Sequence, residues 1–130
     1  MIYESLHVSV AIARSPADVY AFASNPTNLP RWAAGLTGSI TKVDERWVGE
    51  SPDGPIMIAF APPNAFGVLD HDVTFPSGQT FYNPLRVFAN ADGSEVVFTV
   101  FRREGTSPEA FQADAAAVLA DLRTLKSLLE

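Results

Sequence analysis

Residues 107–129 read SPEAFQADAAAVLADLRTLKSLL. Phe111, Ala115, Val118, Leu119, Leu122, Leu125 and Leu129 recur at helical steps and fall on one stripe, while Gln112, Asp114, Asp121, Arg123 and Lys126 take the other side. Ser107-Pro108-Glu109 is a helix-opening sequence. The pattern predicts one amphipathic helix of about 22 residues, well above the usual length. An apolar stripe of that length must be buried, so the fold turns on what lies against it.

Working back from this helix, residues 36–102 are short β-rich runs divided by turn signals: Asp44-Glu45, Asp53-Gly54, Pro62-Pro63-Asn64, Pro76-Ser77-Gly78 and Ala91-Asp92-Gly93. Six strands are expected, at 37–43, 46–51, 55–61, 67–75, 79–90 and 95–102. Short turns between consecutive strands make an antiparallel meander. Further back, residues 2–12 alternate as a strand, with Ile2, Leu6, Val8, Val10 and Ile12 apolar. Ser15-Pro16-Ala17-Asp18 then caps and opens a short helix that ends at Asn25-Pro26. A second short helix is expected over 29–34, capped by Asn28 and stopped by Gly35. The order is one strand, two short helices, six antiparallel strands and one long helix, all in a single α+β domain spanning 1–130. One strand before the paired helices rules out a doubly wound βαβ fold. The concave face of the sheet is the one surface large enough to cover the final helix.

Composition narrows the function. The 130 residues carry a formal net charge of −6 and no cysteine. Disulfides, thiol nucleophiles, Cys-zinc sites and iron–sulfur clusters are therefore excluded. An acidic domain is repelled by phosphate backbones and anionic lipids, so neither nucleic-acid binding nor membrane insertion is expected. No basic and apolar leader opens the chain and no apolar run approaches bilayer length, which makes the cytoplasm the expected location. The two histidines, His7 and His71, lack metal-site spacing. Phosphate loops, dinucleotide fingerprints and Gly-x-Ser-x-Gly are absent from the sequence, so no metal and no cofactor is expected.

Three stretches carry a family likeness. Ile12-Ala13-Arg14-Ser15-Pro16-Ala17-Asp18-Val19-Tyr20-Ala21-Phe22 is similar to the "Pro-x-x-Val-Tyr/Phe-x-Phe" signature of the START-like (SRPBCC, helix-grip) superfamily. Asn25-Pro26-Thr27-Asn28-Leu29-Pro30-Arg31-Trp32 resembles its "Pro-x-x-Leu-Pro-x-Trp" stretch, and Asp121–Lys126 resembles its terminal helix. The resemblance spans essentially the whole chain. It implies a helix-grip fold, with a curved seven-stranded antiparallel sheet wrapped around the long C-terminal helix. It also implies an internal pocket for an apolar or aromatic molecule, lipid- or polyketide-like. Some branches bind, some transport, and others act as polyketide cyclases and dehydrases, so fold is specified better than function.

The residues that could carry chemistry lie around Leu69-Asp70-His71-Asp72-Val73. In a strand His71 takes one face and both acids the other. His71 titrates near neutrality and could act as a general acid or base. Equally, the acids could face inward and His71 outward. Across a hairpin around Pro76-Ser77-Gly78 lie Asn83-Pro84-Leu85-Arg86, where Pro84 should interrupt the ladder. Arg86 could clamp a ligand oxyanion with Asn83, or simply form a cross-strand ion pair with Asp70 or Asp72. A catalytic reading thus rests on His71, Asp70 and Arg86, and a binding reading on Trp32, Phe60, Asn83, Phe98 and Phe111. In the last strand Val96, Phe98 and Val100 share one face and Val97, Thr99 and Phe101 the other. One face meets the helix, and the second offers a surface for a partner such as another copy of the chain. The rival to ligand binding is a protein-interaction domain of the same fold, with a residual pocket and no catalysis.

Overall fold

The structure, a computed structural model, describes residues 1–130. Strand β1 (Ser5–Ile12) is followed by helix α1 (Pro16–Ala23), a 3-10 turn (Pro26–Asn28) and helix α2 (Leu29–Trp32). Seven strands come next: β2 (Thr41–Val43), β3 (Arg46–Ser51), β4 (Gly54–Phe60), β5 (His71–Thr74), β6 (Thr80–Asn83), β7 (Leu85–Asn90) and β8 (Gly93–Phe101). Helix α3 (Pro108–Leu129) closes the chain. The caps act as their chemistry requires: the Ser15 and Ser107 hydroxyls accept from Asp18 N and Ala110 N. No helix is long and apolar enough to cross a membrane.

Every strand pairing is antiparallel, in two ladders ordered β1-β8-β7 and β2-β3-β4-β5-β6. The strand count is thus eight rather than the expected seven. The expected strand 79–90 divides into β6 and β7 at Pro84, and 67–75 reduces to β5 plus a bridge between Val68 and Arg86. The hairpin nevertheless keeps one register through the break. His71 faces Asn83 and Val68 faces Arg86, so Asp70 falls opposite Pro84. Pro84 accepts from Thr99 N of β8 and has no N–H to return to it. Gly67 reinforces the bend: its φ is +72°, and a Cβ there would meet the Val87 carbonyl oxygen. Smaller corrections fall at element ends, where β1 begins at Ser5, α2 ends at Trp32 and the run 37–43 contributes only Thr41–Val43.

Helix α3 lies against β1 and β8 and meets α2. Its C-terminal end is tied to the turn between β1 and α1. Arg14 Nη1 donates to Leu129 O at 2.8 Å, Lys126 Nζ to Ala11 O at 2.6 Å and Ala13 N to Glu130 Oε2 at 2.9 Å. The first of these satisfies a carbonyl that the helix end leaves without an intrahelical partner. Leu122, Leu125 and Leu129 bury themselves with Ile12, Val19, Val87 and Val96. Val96, Phe98 and Val100 form the inward face of β8, whereas the outward Phe101 is partly covered by Tyr3 and Tyr82 of the same chain. Leu125 is fully buried. Leu125→Ala should therefore cost about 3 kcal/mol, seen as a lower urea midpoint with an unchanged slope. An unaltered midpoint would mean that the α3 stripe is not what holds the sheet.

Candidate functional site

The far half of the α3 stripe does not pack solidly. Between α2, α3 and the inner face of β4, β5 and β8 lies a cavity of about 390 Å³. Trp32, Ile56, Ile58, Val73, Phe98 and Leu122 supply most of its apolar wall. Gly35, Pro52 and Asp53, all exposed, mark where it reaches solvent. The volume falls in the range of small-molecule sites, which are mostly apolar with a few placed polar groups.

The cavity's polar side chains are His71, Asn83 and Asp121 on the wall, with Ser51 and Asp53 at the turn between β3 and β4. His71 projects inward from β5, between the rings of Phe60 at 5.7 Å and Phe98 at 5.8 Å. Its Nδ1 lies 3.0 Å from the Leu69 carbonyl oxygen, an atom that only accepts, so Nδ1 carries the hydrogen. In the neutral ring Nε2 is then a free acceptor. Burial pulls the imidazole below the ordinary histidine value, outweighing the opposing effects of the Leu69 carbonyl, Asp70 and Asp72. The ring is therefore neutral at pH 7. Asn83 faces His71 in the register and donates Nδ2 to Phe81 O at 3.3 Å, which leaves its amide oxygen unpaired. Asp121, on α3, accepts from Ala34 N at 3.1 Å through one oxygen, and burial pushes its carboxyl upward. Trp32 lines the wall, and its indole N–H is the single buried side-chain polar atom without a partner.

Asp70 and Arg86 do not join this group. On the outer side of the hairpin the Asp70 carboxylate accepts from Leu85 N at 3.0 Å, Arg86 Nε at 2.9 Å, Arg86 Nη2 at 2.7 Å and Tyr82 O–H at 2.8 Å. Four donors leave the carboxylate little capacity for a ligand. The Arg86 bonds, ahead of those from Leu85 and Tyr82, bring the carboxyl down to about 2 against the cost of burial. Alternation explains the split: with Asp70 outward, His71 must point inward. Of the three candidates for chemistry, His71 alone lines the cavity, and Asp70 and Arg86 form the cross-strand ion pair that was the alternative for them.

Of the expected binding residues, Trp32, Asn83 and Phe98 line the cavity. Phe60 stands behind, against the His71 ring. Phe111 does not line it: at 2% exposure it is packed into the body of the fold near the start of α3. Asp121 was assigned to the polar side of the helix. Its place next to Leu122 and three residues after Val118, at the border of the apolar stripe, is the signal that could have found it. His7 lies on the outer face, with Nδ1 2.9 Å from Thr99 Oγ1.

No family model matches this sequence, and no curated protein does. Solved structures do match in fold. An uncharacterised protein from Bacillus thuringiensis is 16% identical with a TM-score of 0.76, covering 97% of this chain and 98% of that one. Ara h 8.0201 is 15% identical with a TM-score of 0.72, covering 98% of each. DynU16, a protein of the dynemicin biosynthetic locus, is 15% identical with a TM-score of 0.73, covering 96% of this chain and 46% of its own. At such identities the likeness is one of fold: antiparallel strands gripping a long C-terminal helix.

Two outcomes are expected from this geometry. The carboxyl of Asp70 is lowered on folding, so its contribution to stability is present above about pH 4 and disappears as pH falls toward 2. Asp70→Asn should cost about 1 kcal/mol at pH 7, a figure reduced because Arg86 is half exposed, and almost nothing at pH 2 in urea titrations. Nitrogen NMR should show His71 neutral at pH 6.5 with the hydrogen on Nδ1; a hydrogen on Nε2 would remove it as an acceptor.

Proposed function

We propose that this chain is a START-like binding protein for an apolar or aromatic small molecule of lipid or polyketide type. The observation that carries the reading is the cavity beneath α3, about 390 Å³ of mostly apolar space. A protein-interaction domain with a residual pocket needs no such volume, and filling it with side chains would stabilise the fold. Leaving it empty costs stability that a ligand recovers. Both termini of the hairpin break serve the site, because Asp70 and Arg86 act as positioning residues for His71 and Asn83.

The polar atoms define the ligand further. His71 Nε2 and Asn83 Oδ1 both accept, so a hydroxyl on a mostly apolar skeleton satisfies them best. Binding does not require chemistry. In a cyclase- or dehydrase-like version the neutral His71 removes a proton from the ligand, and the Asn83 N–H that Phe81 leaves unused donates to the developing negative charge. Arg86, held outside by Asp70, has no part in that step.

The neutral dye N-phenyl-1-naphthylamine provides the test. Wild-type protein should take it up with a rise in fluorescence, and Val118→Trp, which fills the cavity from α3, should weaken uptake at least tenfold while circular dichroism stays unchanged. A wild-type chain that ignores the dye, or a folded Val118→Trp variant that binds it equally well, would sink the reading. His71→Leu should weaken a phenolic ligand more than its methyl ether, by about 1 kcal/mol for one lost hydrogen bond.

A further inference from the structure

The space beneath α3 does not end at Phe98. Phe75, Asn83, Phe98 and Val118 wall both the cavity above and a second one of about 320 Å³, which reaches Arg103 and Asp114. Arg103 follows the end of β8 and is half-buried. Its guanidinium lies 4.3 Å from the centre of the Phe81 ring. Nη2 donates to Tyr82 O at 2.8 Å and Nη1 to Phe101 O at 3.4 Å. The two bonds and the ring fix the plane of the cation but use only two of its five N–H donors.

What the cation lacks is an anion. The four ion pairs of the protein engage Arg14, Arg86, Arg102 and Lys126, and none engages Arg103. Partial burial disfavours its charge, and Tyr3 and Asp114 act on it from a distance without forming a contact pair. A planar, pre-oriented guanidinium with unspent donors at the end of an apolar passage matches a carboxylate two oxygens wide. Asp114 faces the same space from α3 and sets a limit on charge. Its repulsion falls more heavily on a dianion such as phosphate than on a monoanion.

We propose that Arg103 seats the carboxylate of an amphipathic monocarboxylic acid, with the apolar tail passing Phe98 into the cavity that His71 lines. The inference rests on the reading that the space beneath α3 takes a ligand, and it adds a second, anion-specific subsite at the opposite end. Arg103 is then the residue that sets specificity for the acid head, and His71 meets the far end of the tail.

Displacement of N-phenyl-1-naphthylamine by dodecanoate, its methyl ester and dodecyl phosphate at pH 7.5 tests this. Dodecanoate should displace the dye at a concentration at least tenfold below that needed for either competitor. In Arg103→Gln the acid and ester should become equal, and Arg103→Lys should restore part of the preference. The wild-type comparison needs no variant: equal displacement by acid and ester overturns the proposal while leaving the parent reading intact. Survival of the preference in folded Arg103→Gln also overturns it. Absence of dye uptake by the wild type defeats the parent reading, and the subsite falls with it.

Discussion

The carboxylate of Asp70 joins the two halves of this sheet. Opposite it stands Pro84, whose backbone faces Thr99 of β8, and the Leu69 carbonyl that would accept from Leu85 is turned to His71 instead. Asp70 takes over, accepting the Leu85 amide and anchoring Arg86 and Tyr82 at the same point. One side chain thereby replaces backbone pairing where the sheet bends most. The bend keeps its register, and parity then delivers His71 and Asn83 to the concave side as a pair.

The interior follows from a mismatch between two surfaces. The last turns of α3 pack on β1, and their end is fastened by Arg14 and Lys126. Toward its N-terminal half the helix stands over a sheet that curves away, and small residues such as Ala117 and Val118 do not fill the gap. The space is therefore a product of curvature and side-chain size together. Polar atoms there are few, and apart from the unpartnered Trp32 indole N–H the inward ones are held from behind: His71 by Leu69, Asn83 by Phe81, Asp121 by Ala34 and Arg103 by two carbonyls.

The architecture was largely legible from local signals. A seven-position apolar stripe and a Ser-Pro opening describe α3 without reference to anything else. Pro84 announced a broken ladder, although the neighbouring strands read as continuous and the count came out one short. The face of His71 stayed open although Leu69, Val73 and Phe75 share its parity and Asp70, Asp72 and Thr74 the opposite one, with Val68 alone blurring the alternation. Cavity and filled core were indistinguishable for the same reason that Phe98 and Phe111 look alike in sequence: ring size does not encode what lies opposite the ring. Asp121 was hidden by its charge, since a carboxylate is assigned to water until a structure shows an amide capping it.

The roof of the cavity is unlike its floor. From Ala33 to Ile40 the chain has no regular structure, and it is held by few bonds: Ala34 to Asp121, Leu36 to Ala33 and Thr37 to Glu50. Beside it β2 is a three-residue edge strand, exposed throughout. Segments with so few hydrogen bonds open at far lower free energy than the strands beneath them. Under the proposed reading, the release of an occupant would be paced by opening of this segment, which has to lift Leu36 and Ile40 out of the core, so that residence and affinity can evolve separately.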